Sequence, residues 1–245
     1  MPGSGFRFEI NDSLNEFVRI SMNRPQRSPL FDIALDTIGQ QLRQRSADPA
    51  QPHASDTRKD AQRQTRLEDY AQILQGRLPL HPTPVALPEL LEQCWQTLTP
   101  EAAAKGLRYT RHGLALLPQQ VLADARRLRQ IVHHLLSNAI RYTASGRVEL
   151  HAHWHGEQAP RGVLYLYVVD TGAGMSSRMK DKLFNPFDQV LTHLHRHHRG
   201  QTGFSGHLGL VVTAGIVRAW GGQIELRSAL GTGSTFMVEL PMAPA

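Results

Sequence analysis

The sequence has a single cysteine, no long apolar run and no N-terminal leader pattern. Cys94 is the only cysteine among 245 residues, so an internal disulfide is excluded and the thiol is expected to be a small buried group in a reducing compartment. The most apolar stretch, residues 208–217, is about half of the ~20 residues that a membrane span requires. The start lacks the charged and apolar segments of a signal peptide. We therefore expect a cytoplasmic protein, or the cytoplasmic part of a larger membrane-anchored one.

Basic residues outnumber acidic ones, yet they are not arranged for nucleic-acid recognition. The chain has 27 Lys and Arg against 21 Asp and Glu, which gives a net charge of +6 with neutral histidines. The arginines are scattered, they do not alternate with aromatic residues, and no DNA-reading motif occurs. We therefore predict no nucleic-acid partner.

The N-terminal third favours helices and the remainder a mixed fold. Residues 1–12 are expected to be disordered, and residues 13–76 are predicted to form an antiparallel helical hairpin around a polar turn. Each helix has a thinly apolar face, so the hairpin is expected to pair with a second copy as a dimeric four-helix bundle. Four prolines predict a stiff extended linker over 77–88, and residues 89–245 are predicted to form a separate domain.

The C-terminal domain is predicted to be an α/β sandwich, which makes the whole chain α+β. Its helices are predicted over 88–98, 123–142 and 208–220, and its strands near 107–110, 147–154, 163–170, 223–227 and 234–240. The last two strands are expected to form a hairpin whose turn contains Gly231 and Gly233.

The longest predicted helix carries a polar stripe beside its apolar one. The stripe consists of Arg127, His134, Asn138 and Arg141. This pattern fits a solvated helix face, but the amide oxygen of Asn138 is also a hard ligand suited to Mg²⁺, which takes further oxygens from phosphates. An arginine one turn later could contact those phosphates.

A second motif follows a strand that is apolar on both faces and ends in Asp170. A carboxylate at this point can accept a hydrogen bond from an exocyclic amine such as adenine N6. Gly172 and Gly174 would let the backbone approach a planar ring, although the same pattern also fits an ordinary turn.

A stretch without periodicity separates this motif from the last helix. Residues 188–207 are rich in His and Gly, and a structureless segment of about 20 residues is typical of a functional lid. It leads into Gly-His-Leu-Gly-Leu at 206–210, the start of a helix whose free N–H groups and dipole suit a phosphate.

In order and spacing, five segments resemble the sequence boxes of a sensor histidine kinase catalytic domain. They are LRQIVHHLLSNAIRYT, VVDTGAGM, LFNPFDQV, GHLGL and GGQIELRSALGTGSTFMVELP, and the resemblance covers residues 85–241. The upstream stretch, with Arg27-Ser-Pro-Leu30, resembles more weakly the dimerisation and phosphoacceptor hairpin of that family. The resemblance implies a GHKL-type (Bergerat) sandwich that binds ATP with Mg²⁺.

The resemblance also implies roles for individual residues. Asn138 would ligate Mg²⁺, Asp170 would bind adenine, and Ser234 or Thr235 would support that aspartate. Phe184 and Phe187 would order the lid. The residues expected to contact the nucleotide are His134, Asn138, Arg141, Tyr142, Asp170, Gly172, Gly174, Phe187, Gly206, His207, Leu208, Gly209, Leu210 and Thr235.

The phosphoacceptor histidine of the family is missing from this chain. Alignment places Arg24 or Met22 at its position, and the first histidine of the sequence, His53, falls in the predicted turn. An arginine stays protonated and a methionine has no nitrogen to phosphorylate, so autophosphorylation at the usual site is not expected and no catalytic residue is assigned. His134 and His207 also stand where the family often has asparagine and glycine, and imidazole is a poor ligand for Mg²⁺.

The resemblance implies a signal-transduction protein of a two-component system. It would dimerise through the hairpin, with itself or with another histidine kinase, and a response regulator or phosphotransfer protein would be a further partner. Whether the chain is an enzyme stays open. It could transfer a phosphoryl group from Mg-ATP to a histidine on a partner, or it could be a catalytically dead pseudokinase scaffold that regulates a partner kinase or response regulator.

Overall fold

The computed structural model describes residues 18–19, 68–69, 71–73, 75–156, 162–183 and 207–245. The strands are β1 Val18–Arg19, β2 Thr83–Ala86, β3 Arg108–His112, β4 Gln120–Ala123, β5 Arg147–His155, β6 Gly162–Asp170, β7 Gln223–Ala229 and β8 Gly233–Pro244. The helices are α1 Leu87–Ala104, α2 Ala125–Tyr142, α3 Ser177–Leu183 and α4 His207–Ala219, with a 3₁₀ turn at Leu114–Leu116.

A mixed sheet with helices on one face forms the domain, as the sequence predicts. Its main path runs β1-β7-β8-β6-β5-β3, and β4 pairs with both β2 and β8. β3 lies parallel to β5, whereas β6 is antiparallel to both of its neighbours. Alternate residues of β6, such as Leu164, Leu166 and Val168, are at most 1% exposed because they face the helices. No helix among the described residues is long and apolar enough to cross a membrane.

Helix α2 is the central helix of the core and is fixed at both ends. Leu128, Ile131 and Leu135 are at most 1% exposed and form its apolar stripe. Asp124 caps its start by accepting the amide N–H of Arg127 at 3.0 Å. At its end, the ammonium of Lys105 donates to the carbonyls of Ile140 and Arg141 at 2.7 and 3.0 Å. Hydrogen bonds therefore anchor both ends of the helix that carries Asn138 and Arg141.

Two predictions for the region before the domain are corrected. Val18–Arg19 lie in the stretch predicted to be helical, but they form a strand antiparallel to residues 225–226 of β7. The predicted linker 77–88 contains β2, whose residues pair with β4, and α1 begins at Leu87. Both segments pair with strand edges that are distant in sequence, and such pairing overrides local spacing. The rest of the predicted hairpin lies outside the described residues, apart from its end.

That end, the described helical residues 68–69 and 71–73, is called here the upstream helix. Asp69 forms an ion pair with Arg127 of α2 at 2.6 Å, and the two side chains are 5% and 1% exposed. Gln130 of α2 donates to the second carboxylate oxygen of Asp69 at 3.0 Å. Ile73 packs on Gly215 of α4, where an added Cβ would lie 2.5 Å from Ile73 Cγ2. The upstream helix is thus joined to the domain by buried polar and apolar contacts.

Candidate nucleotide site

Asp170, the last residue of β6, is a buried carboxyl group held by backbone amides. It is 7% exposed, and the amide of Gly172 donates to its Oδ1 at 2.8 Å. Burial raises the pKa of Asp170 to about 6, although hydrogen bonds from the amides of Gly172 and Ser234 oppose this increase. Such a group can accept a hydrogen bond from a ligand in a site from which water is largely excluded.

The two glycines after Asp170 are required by close backbone packing. Gly174 has a φ of 63°, and a Cβ there would lie 1.9 Å from the carbonyl oxygen of Ala229. A Cβ on Gly172 would lie 2.4 Å from the carbonyl oxygen of Tyr142. The intervening Ala173 accepts the amide N–H of Gly231 at 2.7 Å. The turn after β6 is therefore pressed between the end of α2 and the β7–β8 hairpin, and a side chain at either glycine would push it away.

The polar stripe of α2 is divided among three environments. Arg127 is fully buried in its ion pair with Asp69, which corrects the expectation of one continuous polar face. His134 is 8% exposed and faces α4, and Asn138 is half-buried. Arg141 is exposed, and Tyr142 is 50% exposed beside the turn that follows Asp170. Only the second half of α2 can thus contribute to a site near Asp170.

The first turn of α4 lies against His134. A Cβ added to Gly209 would lie 3.4 Å from Cδ2 of that imidazole, whereas the side chain of Leu210 is 4% exposed in the core. Leu210 can therefore offer only its backbone to a ligand. Thr213, which the sequence analysis missed, donates its hydroxyl hydrogen to the carbonyl of Gly209 at 2.9 Å. Its spacing of four residues from Gly209 was the available signal.

Several predicted contacts cannot be placed. Phe184, Phe187 and Gly206 lie outside the described residues, as do the side chains of His207 and Leu208. Their roles remain predictions.

Between Ser234 and Thr235, the strand register favours Ser234 as the partner of Asp170. Ser234 lies directly opposite Asp170, so the two share a face of the sheet. Thr235 pairs with Val169 and lies on the other face, where its buried hydroxyl has no hydrogen-bond partner among the described residues. The hydroxyl of Ser234 also lies 3.0 Å from that of Ser228. The contact with Asp170 that the structure describes is the backbone amide of Ser234, and a supporting role of Ser234 or Thr235 in nucleotide binding stays a prediction.

In the described part of the chain, the protein side chains do not form a metal site by themselves. No group of three or more His, Cys, Asp or Glu residues there could hold an ion. The amide oxygen of Asn138 by itself suits an ion whose other ligands come from phosphates and water, which is the usual way that proteins hold Mg²⁺.

Residues 123–244, which include α2, Asp170, α4 and the hairpin, match the family described as "Histidine kinase-, DNA gyrase B-, and HSP90-like ATPase". The fold and the arrangement of these elements thus define an ATPase-type domain of this class.

Within this class of ATPase-type domains, the individual proteins that resemble the chain are sensor kinases. "Sensor protein GacS" of Pseudomonas syringae pv. syringae is 35% identical over 177 residues, which are 72% of this chain and 19% of that protein. "Signal transduction histidine-protein kinase BarA" of Escherichia coli (strain K12) is 32% identical over 69% of this chain and 18% of BarA. The chain therefore spans about a fifth of the length of these curated relatives.

Solved structures agree with these relatives. Full-length ShkA in complex with AMPPNP is 28% identical with a TM-score of 0.58, and the match covers 74% of this chain and 36% of ShkA. The Acinetobacter baumannii histidine kinase AdeS, at 20% identity and a TM-score of 0.51 over 84% of this chain and 94% of AdeS, supports the fold alone. The chain belongs to the sensor histidine kinase family of two-component signal transduction.

Proposed function

We propose that the chain binds Mg-ATP in a cleft formed by the turn after β6, the second half of α2 and the first turn of α4. The observation that carries the proposal is the buried carboxyl group of Asp170 at the end of a central strand. The carboxyl group accepts two backbone amides but has further lone pairs, and the exocyclic amine of adenine can donate to one of them. Because Gly172 and Gly174 have no side chains, the backbone of this closely packed turn can lie against a flat ring.

The phosphates and the metal are assigned to the two helices. The first amides of α4 would hold phosphate oxygens, because helix N-termini carry free N–H groups and positive potential. Asn138 of α2 would hold Mg²⁺ together with the phosphates, and Arg141 and Tyr142 would flank them. In such a site, bound Mg²⁺ neutralises phosphate charge, and the protein contributes position and electrostatic potential.

Mg-ATP is expected to raise the thermal unfolding temperature of the chain. A ligand that binds only the folded state stabilises it by about 2.7 kcal/mol at a hundredfold excess over Kd. A thermal-shift titration with ATP and Mg²⁺ measures this effect, with cytidine triphosphate as the matched control for the base. An unchanged unfolding temperature at millimolar ATP would contradict the proposed function.

Replacement of Asn138 by alanine is expected to remove the Mg²⁺ dependence of ATP binding. The variant loses the amide oxygen proposed to ligate the ion, so affinities measured with Mg²⁺ and with EDTA should become similar. Ser137→Ala, a change at the half-buried neighbouring position, is the control and should keep the dependence. If the parent protein binds ATP equally well in EDTA, Asn138 has no metal role.

We propose further that the part of residues 13–76 outside β1 serves as a dimerisation hairpin, with itself or with another histidine kinase. A response regulator or phosphotransfer protein would be the downstream partner. Because Arg24 or Met22 stands at the acceptor position, phosphorylation within the chain at that site is not expected. The missing acceptor supports a second candidate, a pseudokinase scaffold that regulates a partner.

Radiolabelled ATP separates these two roles. The chain is incubated with γ-labelled ATP, Mg²⁺ and a separate histidine-containing hairpin of the same family. Label on that hairpin supports transfer to a partner, whereas nucleotide binding without label on either protein supports the scaffold.

A further inference from the structure

His134 lies at the contact between α2 and α4, one helical turn before Asn138. Its side chain is 8% exposed, although imidazole is costly to bury unless its nitrogens are hydrogen-bonded. The ring lies in van der Waals contact with the first turn of α4, because a Cβ on Gly209 would be 3.4 Å from its Cδ2. The residue therefore touches the segment proposed to hold the phosphates.

A hydrogen-bonded relay continues from the ring into that turn. His134 Nδ1 lies 3.3 Å from the hydroxyl of Thr213, which is fully buried and donates to the carbonyl of Gly209 at 2.9 Å. A hydroxyl has one hydrogen, so the oxygen of Thr213 accepts from Nδ1. This network assigns the Nδ1–H tautomer to His134.

The relay fixes the first turn of α4 relative to α2, and these two segments are the ones proposed to hold the phosphates and the metal. Asn138, on α2, follows His134 by one turn on the same helix face, and Gly209 belongs to α4. The adenine half lies further along α2, because the turn after Asp170 contacts Tyr142, eight residues and about 12 Å beyond His134. A displacement near His134 would thus shift the metal and phosphate contacts while leaving the base contact in place.

We infer that His134 is a positioning residue for the triphosphate and metal half of the site, acting through Thr213 on the first turn of α4. A leucine would fill similar space between the helices but could not donate the hydrogen bond to Thr213. The inference rests on the proposed nucleotide binding. It adds that His134 determines the affinity for the phosphates, whereas Asp170 determines the affinity for the base.

The test compares Mg-ATP with adenosine, which lacks phosphates, by calorimetric titration of the full chain. His134→Leu and Thr213→Val are each expected to weaken Mg-ATP binding by about tenfold, the effect of one lost hydrogen bond, and to change adenosine affinity less than about twofold. The double variant should lose no more than either single variant, because both break the same relay. His134→Asn, which keeps an N–H donor near the position of Nδ1, should retain most of the affinity.

His133→Leu is the matched control, since the same change is made at the exposed neighbouring position and should leave both affinities unchanged. Equal losses for Mg-ATP and adenosine in His134→Leu would overturn the inference, because they indicate a general disturbance of the fold. Unchanged Mg-ATP affinity in His134→Leu would overturn it as well. If the parent protein binds neither Mg-ATP nor adenosine, the proposed function and the inference are both wrong. If the parent binds both ligands and His134→Leu does not weaken Mg-ATP binding selectively, only the inference about His134 is wrong.

Discussion

Asp69→Asn is expected to lower the free energy of unfolding by about 3–5 kcal/mol, the usual loss when one partner of a buried ion pair is removed. The variant leaves the guanidinium of Arg127 without its counter-charge, although that side chain is 1% exposed and its Nε already has no hydrogen-bond partner among the described residues. Water cannot reach the group to compensate. Urea unfolding followed by circular dichroism measures the change.

Two companion variants separate charge from packing. The apolar double replacement Asp69→Leu with Arg127→Met should recover most of the lost stability, because neither buried charge remains. Removal of the exposed pair of Arg111 and Glu92, whose side chains are 43% and 29% exposed, should cost only about 0–1 kcal/mol. A loss below about 1 kcal/mol in Asp69→Asn would show that the upstream helix does not stay packed on α2 in solution.

This ion pair also shows why the N-terminal boundary could not be predicted. Prolines dominate residues 77–88, so the sequence predicts a hairpin that ends at 76 and a separate domain that begins at 89. In the structure, β2 lies in that segment and Asp69 reaches Arg127, 58 residues later in the chain. Contacts over such distances leave no local periodicity, and a polar residue such as Asp69 is by default assigned to solvent.

The elements of the domain itself could be predicted because each has a strong local pattern. Helix α2 was expected over 123–142 and is observed at Ala125–Tyr142, with Asp124 as the cap that sets its start. Strand β8 was expected to end near 240 but extends to Pro244, since the short strand β4 pairs with its last residues. Strand β4 itself was missed because four residues carry too little alternation to indicate a strand.

The candidate site likewise has some residues that the local sequence predicts and others that depend on distant contacts. Asp170 and its glycines form a continuous motif at a strand end, so sequence alone could single them out. The relay from His134 to Thr213 joins residues that are 79 positions apart, and its geometry depends on how α2 packs on α4. The choice of Ser234 over Thr235 required the register of two strands, which a one-residue shift would have reversed.

Asp170→Asn is expected to weaken adenine nucleotide binding by about 1–3 kcal/mol, or roughly 5- to 150-fold. In the variant, one amide atom must be an NH₂ group, and it would face either the backbone donors of Gly172 and Ser234 or the amine of the base. Two donors then oppose each other where the carboxylate had accepted from both sides. Glu225→Gln, a change on the other face of the same sheet, is the control and should leave the affinity unchanged.

The pH dependence of stability and of adenosine affinity, compared between the parent and Asp170→Asn, tests whether the ionised carboxylate of Asp170 binds the base. Because the pKa of Asp170 is raised to about 6 in the folded chain from 3.8, its contribution to stability is complete below pH 4 and is lost as the pH rises through 6, by on the order of 3 kcal/mol. Adenine binding uses the ionised form, so the affinity of the parent for adenosine should rise from pH 5 to pH 7.5 and level off above it. At matched pH values, Asp170→Asn should lose the rise in adenosine affinity in calorimetry, and in urea unfolding it should lose the part of the pH dependence that Asp170 contributes, while that of groups such as His151 and His153 stays. A parent whose adenosine affinity is flat over this range would mean that the carboxylate of Asp170 does not bind the base.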